Sequence, residues 1–471
     1  MIGNSVPKNG FFALFQFHAF LMLLMAGLAV STVQAAGVAN SPMRGWTPKQ
    51  YVNDMQVGWN LGNTMDATPG ETGWGNPLTT QAMIDAVHKQ GFKFMRLPVT
   101  WKGHFGGAPG YTLDPTWLAR VVTIANYALN DSMYVMVNIH HDGTEGGWFP
   151  LNVTGSQAEA NATQVAAIWT QIANAFKNYG DYMLFEIFNE PQNGAPNMYN
   201  GGDETSRATL AAYQKAAVQA IRATGGNNAT RMIVVQGISA SPLAVSVATI
   251  PMVDANTIVS LHTYDPVPYS LNCDPSTWGS ASDSASILSN LKSELGMVAE
   301  KHGTAIVGEW GTKRCADLNS RVKHAFFYAR QCRNVGMLPV WWDDGGDFAL
   351  LNRKTTPPSW EFPTVAQAII DGAKAGVFSS AIAPRPAAGR FAATSGLQVK
   401  AGVVHYALAE AAPVSLRLRT VQGKVAADLV QSHQPAGDHQ AKLPLTGLAP
   451  GHYLLELKAG PNILVKDIVT F

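Results

Sequence analysis

Between residues 57 and 345 the chain repeats one alternation: a short apolar run, a loop, then a stretch with helical spacing. The apolar runs are 57–61, 92–99, 134–140, 182–188, 231–236, 257–264, 305–310 and 338–342. Near-continuous apolar runs of this length are expected of strands buried on both faces, as in a parallel sheet with helices outside it. Helical patterns over 79–90, 115–130, 157–178, 204–223, 285–302 and 318–334 separate most of the runs. A weak helix is expected over 239–250, and 362–375 is placed to close a ring after the eighth strand. Gly91, Gly180, Gly225, Gly303 and Gly336 follow helical segments and predict left-handed C-terminal caps. Eight such units predict an α/β fold, a closed (β/α)₈ TIM barrel. An open doubly wound sheet would carry Gly-x-Gly-x-x-Gly after its first strand. Gly58-Trp59-Asn60-Leu61-Gly62-Asn63 does not supply it.

The pattern changes beyond Gly376. Residues 377–396 are rich in Ala, Pro, Ser and Gly and read as a linker. From 397 to 471 apolar and polar residues alternate, as in Val414-Ser415-Leu416-Arg417-Leu418-Arg419, which predicts a small C-terminal all-β sandwich. At the other end, Lys8 precedes an apolar stretch from Phe11 to Val30, and Val33-Gln34-Ala35 presents small residues at the −3 and −1 positions. That arrangement predicts a signal peptide over 1–35, with an uncleaved anchor as the competing reading. The barrel then occupies 36–376, secreted and with no membrane attachment after cleavage.

Composition narrows the partners. The chain of 471 residues is 46% hydrophobic and 14% charged, with a net charge of +1, so it folds around a core and projects no strong field. Nucleic acid and anionic membranes are excluded as favoured partners, and a neutral polymer suits the surface better. Of three cysteines, Cys273 and Cys315 follow neighbouring expected strands, so their loops are placed to meet and bridge in an oxidising compartment. Cys332 lies inside a helical pattern and reads as a small buried side chain.

A barrel builds its active site at the C-terminal ends of its strands. Those ends carry Asn63 and Asp66, Arg96, His140-His141-Asp142, Asn189-Glu190, His262 and Tyr264, Glu309, and Trp341-Trp342. Glu186 and Glu190 fall on one face of the fourth strand, and Glu190, nearer the loop, is the one a substrate reaches; Glu186 is assigned to the interior. Glu309 ends the seventh strand, across the barrel. Two carboxylates facing over a sugar bond are the machinery of glycoside hydrolysis, and a gap of about 5–5.5 Å gives retention of configuration. Arg96 is suited to hold the nucleophile ionised, Asn189 to bind a sugar hydroxyl, His262 and Tyr264 to set the carboxylates' protonation, and Trp342 to offer a sugar ring an apolar face. No metal is expected at His140-His141, because adjacent strand residues point to opposite faces and no third ligand is evident; a metal-dependent hydrolase is the weaker alternative.

These stretches resemble glycoside hydrolase family 5, most of all its subfamily 4 of endoglucanases and xyloglucanases. The matching motifs are Gly58-Trp59-Asn60-Leu61-Gly62-Asn63-Thr64-Met65-Asp66, Trp74-Gly75-Asn76-Pro77, Arg96-Leu97-Pro98-Val99, Asn138-Ile139-His140-His141, Phe188-Asn189-Glu190-Pro191, Leu261-His262-Thr263-Tyr264, Gly308-Glu309-Trp310-Gly311 and Trp341-Trp342-Asp343. The resemblance implies Glu190 as acid/base and Glu309 as nucleophile. It places Arg96, His140, Asn189, His262, Tyr264 and Trp342 around them, with Asn63, Asp66, His141 and Trp74 toward the substrate. A monomeric retaining endo-β-1,4-glucanase without cofactor or metal, acting on β-glucan, is the expectation. A xyloglucanase, licheninase or mannanase on the same scaffold is the near alternative, and a non-catalytic carbohydrate-binding protein the distant one. The C-terminal ending Gly447-Leu448-Ala449-Pro450-Gly451-His452-Tyr453 resembles sorting modules of secreted bacterial proteins. A sugar-binding module is the rival there, with few candidate aromatic platforms, Tyr406 and Tyr453.

Overall fold

The computed structural model describes residues 37–378 and 397–470, apart from 144–145, 193, 196, 292–297, 299–300, 401, 409–410, 421–424, 445–447, 449–450 and 460–461. The expected leader over 1–35 and most of the expected linker over 377–396 lie outside the described residues. The chain divides into two compact units, Met1–Ala383 and Pro384–Phe471.

The first unit is a closed barrel of eight parallel strands in chain order: β1 Gly58–Leu61, β2 Phe94–Leu97, β3 Tyr134–Asn138, β4 Met183–Glu186, β5 Ile233–Gln236, β6 Thr257–His262, β7 Ala305–Trp310 and β8 Met337–Asp343. Pairing of Gly58 with Val340 and of Asn60 with Trp342 joins β1 to β8 and closes it. Every residue of these strands is buried, which accounts for their unalternated apolar runs. Side chains such as Phe94, Tyr134, Met136, Leu184, Val234, Ile258, Ile306 and Val340 form one cluster with Tyr51, Val52 and Met55. The last three come from the helix Pro48–Met55, whose Thr47 cap and Gln50 form a reciprocal capping box. This helix lies outside the eight repeats and packs against the starts of the strands. A larger cluster sits between the strands and the surrounding helices.

Helices Pro115–Asn130, Glu204–Ala223 and Leu318–Asn334 coincide with the expected segments, each begun by an aspartate that accepts from backbone N–H groups of the first turn. The weak helix over 239–250 is instead a 3₁₀ turn, Ile238–Ala240, and a single helical turn, Ala244–Val247. Gly91, Gly225, Gly303 and Gly336 have positive φ, but Gly180 does not cap in that way. A Cβ on Gly180 would meet the Ser41 carbonyl oxygen at 2.2 Å, so the close passage of the N-terminal segment selects glycine there.

The second unit holds two antiparallel sheets. One contains β9 Gln398–Lys400, β10 Val403–Leu408 and β13 Gly437–Lys442; the other contains β11 Ala412–Thr420, β12 Val425–Gln434, β14 Gly451–Ala459 and β15 Asn462–Thr470. Val404, Leu416, Leu418 and Leu455 meet in a shared core, the sandwich the alternation predicts. Tyr406 and Tyr453 belong to that core as well, so they are not the exposed sugar platforms their positions suggested.

Cys273 and Cys315 are disulfide-bonded across 42 residues of sequence, and Cys332 is free and buried. No helix among the described residues is long and apolar enough to cross a membrane. Closing a loop of that length restricts the unfolded chain, so replacing both cysteines by serine is expected to cost about 2–4 kcal/mol. A thermal melt of C273S/C315S checks this: the midpoint should fall, and an unchanged midpoint would show that the bridge contributes nothing.

Candidate active site

Polar side chains from six strand ends converge at the C-terminal mouth of the barrel. At their centre lies Arg96 on β2, which is fully buried. Its Nε donates to Glu186 Oε2 at 2.7 Å, its Nη1 to Glu309 Oε1 at 2.8 Å and to Asn60 Oδ1 at 3.0 Å, and its Nη2 to Asn189 Oδ1 at 2.8 Å. Burial opposes the guanidinium charge, but the charges of Glu186 and Glu309 and their bonds to it more than compensate. Glu186 therefore sits in the interior as expected.

Glu309 receives a second bond, from the Tyr264 hydroxyl to Oε2 at 3.0 Å. Burial pushes its carboxyl upward, while His262 and Arg96 pull it back and Glu190 adds to the rise. Both of its bonds come from donors, so they favour the carboxylate over the acid. Glu190 lacks such support: burial raises it to about 7 against weaker opposition from Arg96 and His141. Its Oε1 lies 2.7 Å from His262 Nδ1, which is 3.7 Å from Glu309 Oε2. Burial lowers His262 to about 4, so that ring is neutral. Oxygens of Glu190 and Glu309 and a nitrogen of His262 lie within 4.8 Å of one another. The Glu190 side chain is 28% exposed and that of Glu309 8%, so Glu190 is the one more open to solvent.

The backbone at β7 is shaped for this arrangement. Pairing shifts register between Leu261 and His262 on one side of β7 and between Val307 and Trp310 on the other. Such irregularities re-aim side chains at a barrel rim. Gly308 lies in that segment: its carbonyl accepts from Asn60 Nδ2 at 2.9 Å, and a Cβ there would stand 2.8 Å from Ser260 Oγ and 3.0 Å from His262 Nε2.

On the other side of the mouth, His140 is buried, its ring parallel to Trp342 with centroids 5.7 Å apart. Trp341, by contrast, packs into the outer core against Trp310. Asp66 is also buried, accepting from the Asn63 and Thr64 backbone N–H groups and lying 3.4 Å from His141 Nε2. Burial disfavours a charge on His141, but Asp66 outweighs it and raises the ring. His141 packs beside the exposed Trp74, with ring centroids 5.3 Å apart.

His140 and His141 do not point to opposite faces as expected. Strand β3 ends at Asn138 and residues 141–143 form a 3₁₀ turn, so both rings meet, 4.5 Å apart and perpendicular. Asp66 supplies the third donor that seemed missing: one donor atom from each of the three lies within 4.8 Å of the others. Asn189 also reaches the site, because β4 ends at Glu186 and the chain bends before it. Residues that the sequence left unassigned also belong here: Asn60 and Asn138, both inside quoted motifs, hold Arg96 and His140, respectively.

A barrel whose mouth holds two facing carboxylates, one anchored by an arginine and one raised by burial, defines the glycoside hydrolase class. The Cellulase (glycosyl hydrolase family 5) model matches residues 56–347, and the chain belongs to that family. It is 43% identical over 373 residues to Endoglucanase B of Clostridium cellulovorans, covering 75% of this chain and 83% of that one. The structure of ZgEngAGH5_4 in complex with a cellotriose superposes with a TM-score of 0.67 at 43% identity, over 70% of this chain and all of that one. A GH5-4 broad specificity endoglucanase from Clostridium acetobutylicum gives 0.65 at 38% identity, over 69% and 99% of the two chains.

Adding one methyl group at Gly308 tests how finely β7 is fitted. Gly308→Ala is expected to cost about 1–3 kcal/mol through overpacking and to lower kcat/KM at least about ten-fold by displacing His262, since a small misplacement of catalytic groups is costly. Full activity with a native melting temperature would show that His262 does not need this contact.

Proposed function

We propose that this chain is a secreted, monomeric, retaining endo-β-1,4-glucanase, with Glu309 as nucleophile and Glu190 as general acid and then base. The observation that carries the reading is the short gap between the two carboxylates, oxygens within 4.8 Å around His262. So close an approach suits direct attack by one carboxylate better than attack by an interposed water. Glu309 attacks the anomeric carbon while Glu190 gives its proton to the departing glycosidic oxygen. A glycosyl ester on Glu309 results. Glu190, now a carboxylate, takes a proton from water; the water oxygen bonds to the anomeric carbon and Glu309 leaves, so two displacements restore the original configuration.

The neighbours fit these roles. Arg96 and Tyr264 stabilise Glu309 as an anion before attack and after release. Asn189, its carbonyl oxygen held by Arg96, keeps its amide nitrogen to donate to a sugar hydroxyl. Trp342, His140, His141, Asn63 and Trp74 provide ring faces and polar groups along the mouth, and Asp66 acts through His141. The substrate class follows from the relatives, whose names specify endoglucanase activity. The leader over 1–35 and the C-terminal sandwich complete the reading: the first directs export, and the second, whose Tyr406 and Tyr453 are buried, serves sorting or structure rather than sugar binding.

Glu309→Gln and Glu190→Gln, assayed on carboxymethyl cellulose, lichenan, xyloglucan, xylan and mannan, test the assignment. Glu309→Gln should reduce kcat/KM by roughly 10⁴-fold or more, as for removal of a catalytic nucleophile, while keeping the fold and oligosaccharide binding. Undiminished hydrolysis would remove Glu309 from the mechanism. Following the product anomer by proton NMR should show the β form first.

Because Glu190 must be protonated to act and stands at about 7, kcat/KM should decline as pH rises through that region, and the Glu190→Gln variant should lose this alkaline limb. A pH–rate profile of both enzymes measures it. An alkaline limb retained without Glu190 would assign the titration to another group.

A further inference from the structure

Asn138 ends β3 inside the barrel mouth, fully buried, and its amide orientation is fixed twice over. Its Oδ1 accepts from the Val99 backbone N–H at 3.0 Å, and its Nδ2 donates to Glu186 Oε2 at 2.9 Å. The first partner can only donate and the carboxylate oxygen can only accept, so the oxygen and nitrogen of this amide cannot be exchanged. The second hydrogen of the same Nδ2 faces His140 Nδ1 at 3.1 Å. An amide nitrogen has no lone pair to offer, so His140 Nδ1 must accept, and the proton of a neutral ring resides on Nε2.

Resting on the catalytic reading above, we propose that Asn138 is a positioning residue: it fixes His140 as the neutral tautomer with its proton on Nε2, directed into the reaction centre. Nε2 lies 4.0 Å from Glu309 Oε1 and 4.0 Å from Asp66 Oδ2, a spacing bridged by one intervening hydroxyl group. His140 then acts as a hydrogen-bond donor at that place and not as a base. Neutrality has its own cause: burial, with His141, Arg96 and His262 close by, holds the ring far below the usual histidine range. Parallel packing against Trp342 restrains the ring plane, so the amide contact selects the tautomer of a ring already held. The same tautomer covers with a proton the nitrogen whose lone pair a cation between Asp66, His140 and His141 would require. Glu186 thereby links two devices, because its Oε2 accepts both from Arg96, which anchors the nucleophile, and from Asn138, which sets the histidine.

The test reads the tautomer directly. Long-range ¹⁵N–¹H correlation spectra of the ¹⁵N-labelled enzyme, with the His140 signals identified by their loss in His140→Gln, should show Nε2 protonated and Nδ1 bare from about pH 5 to 8, well above where a buried histidine would charge. Asn138→Asp places an acceptor against Nδ1. It should move the proton to Nδ1 and lower kcat/KM roughly 10- to 100-fold, the scale of losing an orienting partner. In the His140→Gln background the loss should be smaller, leaving only the part that passes through Glu186 and Arg96, since residues acting through one another are not additive. A native spectrum with the proton on Nδ1, or an Asn138→Asp enzyme whose His140 keeps its proton on Nε2, would overturn the proposal. The native spectrum decides even if the Asn138 variant fails to fold. An active Glu309→Gln enzyme would sink the catalytic reading while leaving the tautomer assignment standing; an inactive one with the reversed tautomer would sink only this inference.

Discussion

The buried guanidinium of Arg96 constrains everything around it. A cation with no access to solvent is tolerated only when its donors are matched by acceptors in fixed places, and losing one partner of such a pair typically costs about 3–5 kcal/mol. Glu186, Glu309, Asn60 and Asn189 supply those acceptors from three other strands or their ends, β1, β4 and β7. The planar fork of arginine bonds several of them at once, which the single ammonium of a lysine does not reproduce. The ring of strands and the placement of Glu309 are therefore secured by one residue. Any shift of β4 or β7 relative to β2 leaves charge unpaired in the interior.

Around that ion cluster, burial pushes Glu190, Glu309, His140, His141 and His262 toward neutrality, and at all of these but His140 charged and hydrogen-bonded neighbours oppose it to different degrees. Glu309 has two donors that favour its anion against the rise from burial and from Glu190; Glu190 has a neutral histidine and is raised to about 7. The same pressure keeps His140 and His262 uncharged, while His141 escapes it through Asp66. Two glutamates of identical intrinsic chemistry are thus placed in different surroundings, the arrangement that the proposed division of roles requires.

The architecture explains why so many of these partners are backbone-fixed. Strand ends bend out of the ladder just where the site begins: β3 stops at Asn138, β4 at Glu186, and the pairing on both sides of β7 changes register close to Glu309. Past those points the strict alternation of faces no longer holds, and successive residues such as His140 and His141 turn to the same cleft. Packing in the lower barrel, where the helix Pro48–Met55 joins the inward side chains of the strands, supplies the rigidity against which the upper residues are positioned.

Much of this was legible in the chain itself. Eight apolar runs with helical segments between them specify the barrel, because strands buried on both faces admit only such residues, and the alternating C-terminal stretch specifies a two-sheet module in the same way. The identity of the polar residues at the strand ends, Glu190, Glu309, Arg96 and their companions, also came from sequence, since polar groups at the ends of buried runs need either a partner or a task. Which of them are partners was not legible. That Asp66 meets His140 and His141, that Asn60 holds Arg96, that Val99 and Glu186 fix the Asn138 amide, that Gly308 is small for the sake of His262, and that Tyr406 and Tyr453 lie inside their module all depend on distances between residues far apart in the chain. Periodicity fixes which face of a regular element a side chain takes; beyond the last ladder bond, only the closing of the barrel determines where it points.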